Sequence, residues 1–178
     1  MECPQCKGYQ LEPQEIEPGL MAGVCPKCTG ALLSLMNYRF WVEQQSPVEI
    51  NETEDVVVED NGKAKACPKC SRLMSKYQVG EGTNTRVDLC SGCEEAWLDK
   101  GEWQLLKKMD MHNKLPKIFT DAWQRNIRIQ RQEKFLKKQY MNLLGENDFR
   151  KADMFKQWLD EHPEKSKIQQ YLITKVDL

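Results

Sequence analysis

Histidine is nearly missing from this chain: His112 and His162 are the only two in 178 residues. A nucleophile–imidazole pair has few places to form, and a histidine-rich metal site has none. The glycine loop that cradles phosphates, the G-x-S-x-G elbow and a telling pair of carboxylates are missing too. These absences argue against an enzyme. Long hydrophobic runs are also lacking, and none approaches the roughly 18 apolar residues of a membrane span. The chain opens Met1-Glu2-Cys3 without a secretory leader, so a cytoplasmic, reducing compartment is expected. His112 is read as the end of one helix and His162 as lying near the C-terminus of another, where a cation is favoured. A fifth metal ligand or a general base is the competing reading of either.

Cysteine is absent outside two sets of four. Cys67-Pro68-Lys69-Cys70 is followed, after nineteen residues, by Cys90-Ser91-Gly92-Cys93. Cys3-Pro4-Gln5-Cys6 is followed, after eighteen, by Cys25-Pro26-Lys27-Cys28. The sets align with a shift of 64 to 65 residues that also carries Ala31 onto Ala96 and Leu33 onto Leu98. Paired C-x-x-C knuckles at this separation are the signature of a four-cysteine zinc site. One knuckle places two thiolates on one side of the ion, and a hairpin brings back a second knuckle to close the tetrahedron. Pro4, Pro26 and Pro68 hold φ where the tight turn needs it. The competing readings are a redox dithiol or a disulfide framework, and iron also suits four thiolates. All eight cysteines are consumed, so none is left as a free nucleophile. Two complete sets predict two closed sites and two zinc ions, with no position left for a metal-activated water.

Each cysteine module spans about 40 residues, near the size at which a core alone rarely suffices. Metal is therefore expected to supply folding free energy, on the order of 10 kcal/mol per site. Charge divides the chain. Residues 1–100 carry 10 Lys+Arg against 16 Asp+Glu, or −6, and residues 101–178 carry 16 against 11, or +5. The modules are acidic and the remainder is mildly basic.

The first module is placed at residues 1–45. Tyr9–Ile16 goes out, Glu17-Pro18-Gly19 turns, Leu20–Val24 returns, and a short helix runs through Met36–Val42. The bulky residues of that helix are read as core, with an exposed aromatic patch as the alternative. Residues 46–65 read as an acidic linker: Glu43 to Asp60 holds seven acids and no base, with a short strand at Val56-Val57-Val58. The linker is a solvated spacer or, alternatively, an interaction segment. The second module is placed at 66–111. Arg72–Val79 goes out, Gly80-Glu81-Gly82 turns and Thr83–Leu89 returns. Trp97-Leu98 buries on the hairpin. Asp99 then caps a helix from Lys100 to Met111, with Glu102 completing a capping box.

On these residues the chain resembles the bacterial transcription-factor zinc-finger family, small zinc ribbons named for their likeness to the ribbon of transcription factor IIB. The resemblance rests on Cys67-Pro68-Lys69-Cys70 and on Cys90-Ser91-Gly92-Cys93-Glu94-Glu95-Ala96-Trp97-Leu98-Asp99-Lys100-Gly101-Glu102-Trp103. The family pattern has Gly where Glu95 stands and usually Leu where Trp103 stands. The first module keeps the cysteines and Gly30 but has Leu32-Leu33-Ser34 and lacks D-x-G-E, like a diverged copy. The similarity covers about residues 1–110. It implies two tandem zinc ribbons with a regulatory or transcription-linked role.

Residues 112–178 read as a helical tail, with helices at about 117–144, 148–161 and 164–173. Pro116 suits the start of the first and Gly145 its stop. Arg125, Arg128, Arg131 and Lys134 form a basic run on that helix. It is an ordinary solvated face or, alternatively, a nucleic-acid contact. The fold class expected is α+β: two four-cysteine zinc ribbons followed by an α-helical C-terminal region. The expected function is a non-enzymatic zinc protein that recruits a protein partner. The alternatives are nucleic-acid binding through the tail and a thiol sensor that ejects zinc on oxidation.

Overall fold

The structure, a computed structural model, describes residues 1–44, 58 and 62–174. The first three strands are β1 (Glu12–Glu17), β2 (Leu20–Val24) and β3 (Ala31–Ser34), followed by helix α1 (Leu35–Gln44). Strands β4 (Ser75–Gln78), β5 (Arg86–Cys90) and β6 (Glu95–Leu98) come next. Helices α2 (Glu102–Lys108), α3 (Leu115–Ile118), α4 (Asp121–Leu144), α5 (Glu146–Glu161) and α6 (Lys165–Ile173) complete the chain. The fold is mixed: among the described residues, six strands form one antiparallel sheet, in the order β1-β2-β3-β6-β5-β4, with six helices.

Each cysteine module contributes three strands, not two. The third strands, Ala31–Ser34 and Glu95–Leu98, are short apolar runs without polar alternation, because both of their faces are covered. They pair with each other: Ala31 faces Leu98, Leu32 faces Trp97, Leu33 faces Ala96 and Ser34 faces Glu95. Under the 65-residue repeat Leu32 and Trp97 are equivalent positions, so the repeat closes on itself about an approximate two-fold at that pair. The modules are thus halves of a single sheet.

Side-chain alternation splits the core into two layers. Ala31, Leu33, Ala96 and Leu98 point to the helix side, with Tyr38 and Trp41 of α1, Trp103 and Leu106 of α2, and Leu115 and Ile118 of α3. Leu32 and Trp97 point to the other side, among the cysteines. The aromatic residues of α1 divide. Tyr38 and Trp41 are core, with Trp41 edge-on to Trp103 at 6.0 Å, while Met36 and Phe40 stay exposed.

Several boundaries differ from the sequence reading. The helix expected from Lys100 begins at Glu102, and its N-cap is Gly101 at φ 82° without a side-chain cap. Half of the capping box forms: the Asp99 N–H donates to Glu102 Oε2 at 2.8 Å. The Asp99 carboxylate is engaged elsewhere, as described below. The helix expected at 117–144 is two helices, α3 and α4, because Leu115 and Ile118 turn into the core ahead of the break at Phe119-Thr120. The compact unit built on the sheet runs to Ile129, beyond the 111/112 boundary read from sequence, and Gln130–Leu178 form a second unit. Val56 and Val57 and most of the acidic linker lie outside the described residues.

Both edges of the sheet are protected. Edge strand β1 carries Pro13 and exposed Glu12 and Glu15. Beside edge strand β4, the Gln124 amide donates to Gln78 O at 2.9 Å and accepts from Gln78 N at 3.1 Å, in place of a seventh strand.

Candidate metal centres

The four knuckles share a local design. A residue in the left-handed region follows three of the C-x-x-C turns directly: Thr29 (φ 57°), Ser71 (φ 62°) and Glu94 (φ 53°). In the first turn Gly8 takes that conformation at φ 80°, one residue later. The turns close by backbone hydrogen bonds such as Thr29 N–H to Cys25 O at 2.9 Å and Ser71 N–H to Cys67 O at 2.8 Å. The N–H groups of Gln5 and Cys6 point at Cys3 Sγ, at 3.4 and 3.3 Å. Such donors stabilise a thiolate.

The structure gathers Cys3, Cys6, Cys25 and Cys28 into one cluster and Cys67, Cys70, Cys90 and Cys93 into another. Within each, all four sulfurs lie within 4.8 Å of one another. Cys3 Sγ and Cys28 Sγ are 3.7 Å apart, and Cys70 Sγ and Cys90 Sγ 3.5 Å. A tetrahedron around an ion at about 2.3 Å has edges of about 3.8 Å, whereas a disulfide brings sulfurs to about 2.05 Å. The donor set and its spacing fit a four-coordinate metal ion. The first cysteine of each knuckle is buried and the second half-buried, in both clusters.

Without an ion these thiols cannot share one ionised state. Burial pushes Cys3 and Cys28 up to about 11. The hydrogen bond with Cys70, then burial, takes Cys93 to about 12. Cys25 moves the other way: burial opposes its ionisation, but the Cys28 and Lys27 N–H groups and the Cys3 and Cys28 side chains together outweigh burial and bring it to about 7. The Arg72 N–H and the Cys93 side chain lower Cys70 to about 7 as well. Ionisation is thus favoured at one thiol of each set and opposed at others, and a divalent cation would favour the thiolate at all four.

Trp97, completely buried, packs in one core cluster with cysteines of both sets. A side chain at Gly30 would place its Cβ 2.4 Å from the indole, so that position must be glycine. The equivalent position in the second half is Glu95, and the residue that the repeat sets in the place of Trp97 is Leu32, a smaller side chain. The departure from glycine noted at Glu95 therefore has a local reason. Glu95 pairs with Lys69 at 3.0 Å.

A buried ionic cluster adjoins Trp97, and sequence reasoning missed it. Lys65, 2 % exposed, reaches Asp88 Oδ2 at 2.8 Å and Asp99 Oδ2 at 2.9 Å. Lys76 joins Asp88 at 3.1 Å. Burial alone would lower Lys65, but the two carboxylates more than reverse that and hold it above the ordinary lysine range. Asp99 Oδ1 accepts from Trp97 Nε1 at 2.7 Å and from the Gln5 amide of the first knuckle. Asp99 is therefore a tie between the two halves rather than a helix cap, and Lys65, read as the last residue of the linker, belongs to the core. One signal was available: Asp88 interrupts the apolar strand Val87-Asp88-Leu89, and a buried carboxylate requires a cation.

The histidines join neither four-cysteine cluster. The His112 carbonyl accepts from the Tyr38 hydroxyl at 2.7 Å, and burial lowers the imidazole's pKa. The His162 ring lies 5.0 Å from Trp158, and its Nδ1 accepts from the Glu164 N–H at 3.1 Å. Of the basic run, Arg125, Arg128 and Lys134 are exposed on α4, while Arg131 is half-buried. No described helix is long and apolar enough to cross a membrane. Compared with known protein families, curated proteins and solved structures, the chain finds no match.

Proposed function

We propose that this chain is a structural zinc protein, made of two ribbons of the transcription factor IIB type fused through β3 and β6, that acts as a non-enzymatic adaptor for a protein partner. The observation that carries this reading is the pair of four-thiol clusters, each with four converging ligands and both packed in one core cluster with Trp97. A closed set leaves no position for a reacting water. The metal then sets the shape of the sheet, and the surface of that sheet does the work. Elemental analysis of the purified protein tests the first half of the proposal: two zinc ions per chain are expected, and a coloured two-iron protein would overturn it.

The adaptor role is tested against direct nucleic-acid binding. Exposed Arg125 and Arg128 favour the second reading. Fluorescence anisotropy with single- and double-stranded DNA and RNA separates the two, because phosphate contacts weaken steeply with salt. Binding that falls with salt and disappears in the double variant Arg125→Ala, Arg128→Ala would replace the adaptor reading. The half-buried Cys6, Cys28, Cys70 and Cys93 give the thiol-sensor reading its opening. Zinc release at peroxide levels that spare closed structural sites would favour it.

A further inference from the structure

One carboxylate, that of Asp99, reaches residues that lie within or just ahead of the opening knuckle of both cysteine sets. Its Oδ1 accepts from the side-chain amide of Gln5, inside the knuckle Cys3-Pro4-Gln5-Cys6. Its Oδ2 accepts from Lys65 Nζ at 2.9 Å, and Lys65 stands two residues ahead of Cys67. Oδ1 also accepts from Trp97 Nε1 at 2.7 Å. Asp99 and Lys65 are buried, so water competes little for these bonds, and a charged acceptor makes them strong. Asp99 directly follows β6, which begins two residues after Cys93. A carboxylate placed by the second set thus holds a side chain inside the first. The backbone adds a further link next to Cys93: the N–H of Leu35, directly after β3, donates to Glu94 O at 2.9 Å.

We propose, on the reading that both sets hold zinc, that Asp99 is a positioning residue shared by the two metal sites, through which an ion in one set raises the affinity of the other set for its own. Each module is too small to keep its shape by core alone, so an empty set leaves its knuckles unordered. With the second set loaded, Cys67 and Cys93 are fixed, and with them the neighbouring Lys65, β6 and Asp99. The Gln5 amide then meets an acceptor already in place, and ordering the knuckle from Cys3 to Cys6 is partly offset by that bond. With the first set loaded, Gln5 is fixed instead, and the second set gains by the same factor, because coupling between sites is reciprocal. The shared ladder of β3 and β6 acts in the same direction. The chain then exists mainly empty or with both ions, so loss of one ion is followed by loss of the other.

The test uses the full chain, stripped of metal under reducing conditions and given zinc in steps, with each loading state counted by native mass spectrometry. At one bound ion per chain on average, independent sites of any relative affinity leave about half of the chains or more with a single ion, whereas a coupling of about tenfold leaves about a quarter. The second result is expected. Gln5→Ala removes the amide but leaves Asp99 its bonds to Trp97 and Lys65. That variant should still take two ions at saturation, while the coupling falls about threefold or more. Gln5→Glu, which sets a second carboxylate against Asp99, should lower it further. Lys7→Ala, at an exposed position just past the same knuckle, should leave it unchanged. Single-ion chains at half or more in the unsubstituted protein overturn the proposal, and two ions at saturation would then leave the zinc reading standing. Coupling that is unchanged in both Gln5 variants, or that falls as far in Lys7→Ala, removes the role assigned to Asp99. A chain that takes up no zinc at saturation fails the zinc reading itself, and this proposal with it.

Discussion

The two halves of the sheet have the same paired C-x-x-C knuckles and the same strand order, yet they are anchored differently. The first half presents Leu32 and Ser34 where the second presents Trp97 and Asp99. Around that substituted pair the second half gathers Lys65, Asp88 and a hydrogen bond from Gln5 of the first knuckle. The first half contributes the glycine that lets the indole in. A repeat that folded as two independent modules would keep its specialised contacts at home. Here the specialised residues of one copy are fitted to the simplified residues of the other, and the copies differ in complementary ways.

Metal removal is expected to have the largest effect. Stripping both ions with a strong chelator should remove on the order of 10 kcal/mol per site and unfold the sheet, read by circular dichroism and hydrogen exchange. Cys90→Ser asks whether the halves stand or fall together. Because β6 is the pairing partner of β3, the variant should retain well under one ion per chain. Retention of one full ion at Cys3, Cys6, Cys25 and Cys28 would show that the halves fold separately.

Next is the buried ionic cluster. Removing one partner of such a pair leaves an uncompensated charge and costs about 3–5 kcal/mol. Asp99→Ala and Lys65→Ala should both fall in that range by denaturant unfolding. Ser34→Ala, at the position equivalent to Asp99, should stay within about 0.5 kcal/mol. Equal effects at the two positions would remove the asymmetry between the halves. Gly30→Ala is expected to cost about 1–3 kcal/mol, because its methyl would enter the Trp97 ring. Combining it with Trp97→Leu should recover part of that loss, a coupling readable in a double-mutant cycle. The smallest effect belongs to Arg39→Ala. Its bond to Glu94 at 2.8 Å also links the halves, but both side chains are half exposed. An exposed pair of this kind contributes about 0–1 kcal/mol, less at high salt.

Local rules located much of this in the chain. The C-x-x-C spacing, with prolines inside the knuckles, placed all eight cysteines in two groups of four. The Pro18-Gly19 turn and the alternating apolar residues of Leu20–Val24 placed a hairpin. Gly145 separated α4 from α5. The errors have physical causes of two kinds. A four-residue apolar run such as Ala31–Ser34 has no period to read, so its strand became visible only with a partner. A lone charge such as Lys65 reads as solvated until the carboxylates that bury it are known to be adjacent, and Asp88 and Asp99 lie 23 and 34 residues away.

The sequence by itself determined the ligand groups, the repeat and the helical character of the second half of the chain, because each depends on spacing within a few turns. Tertiary structure alone decided that β3 pairs with β6, that Asp99 ties two modules instead of capping a helix, and that Ile127 and Leu159 are buried while most large apolar side chains from Phe135 to Ile173 stay exposed among the described residues. Those outcomes depend on which surfaces meet, and surface complementarity between segments 65 residues apart has no local signature.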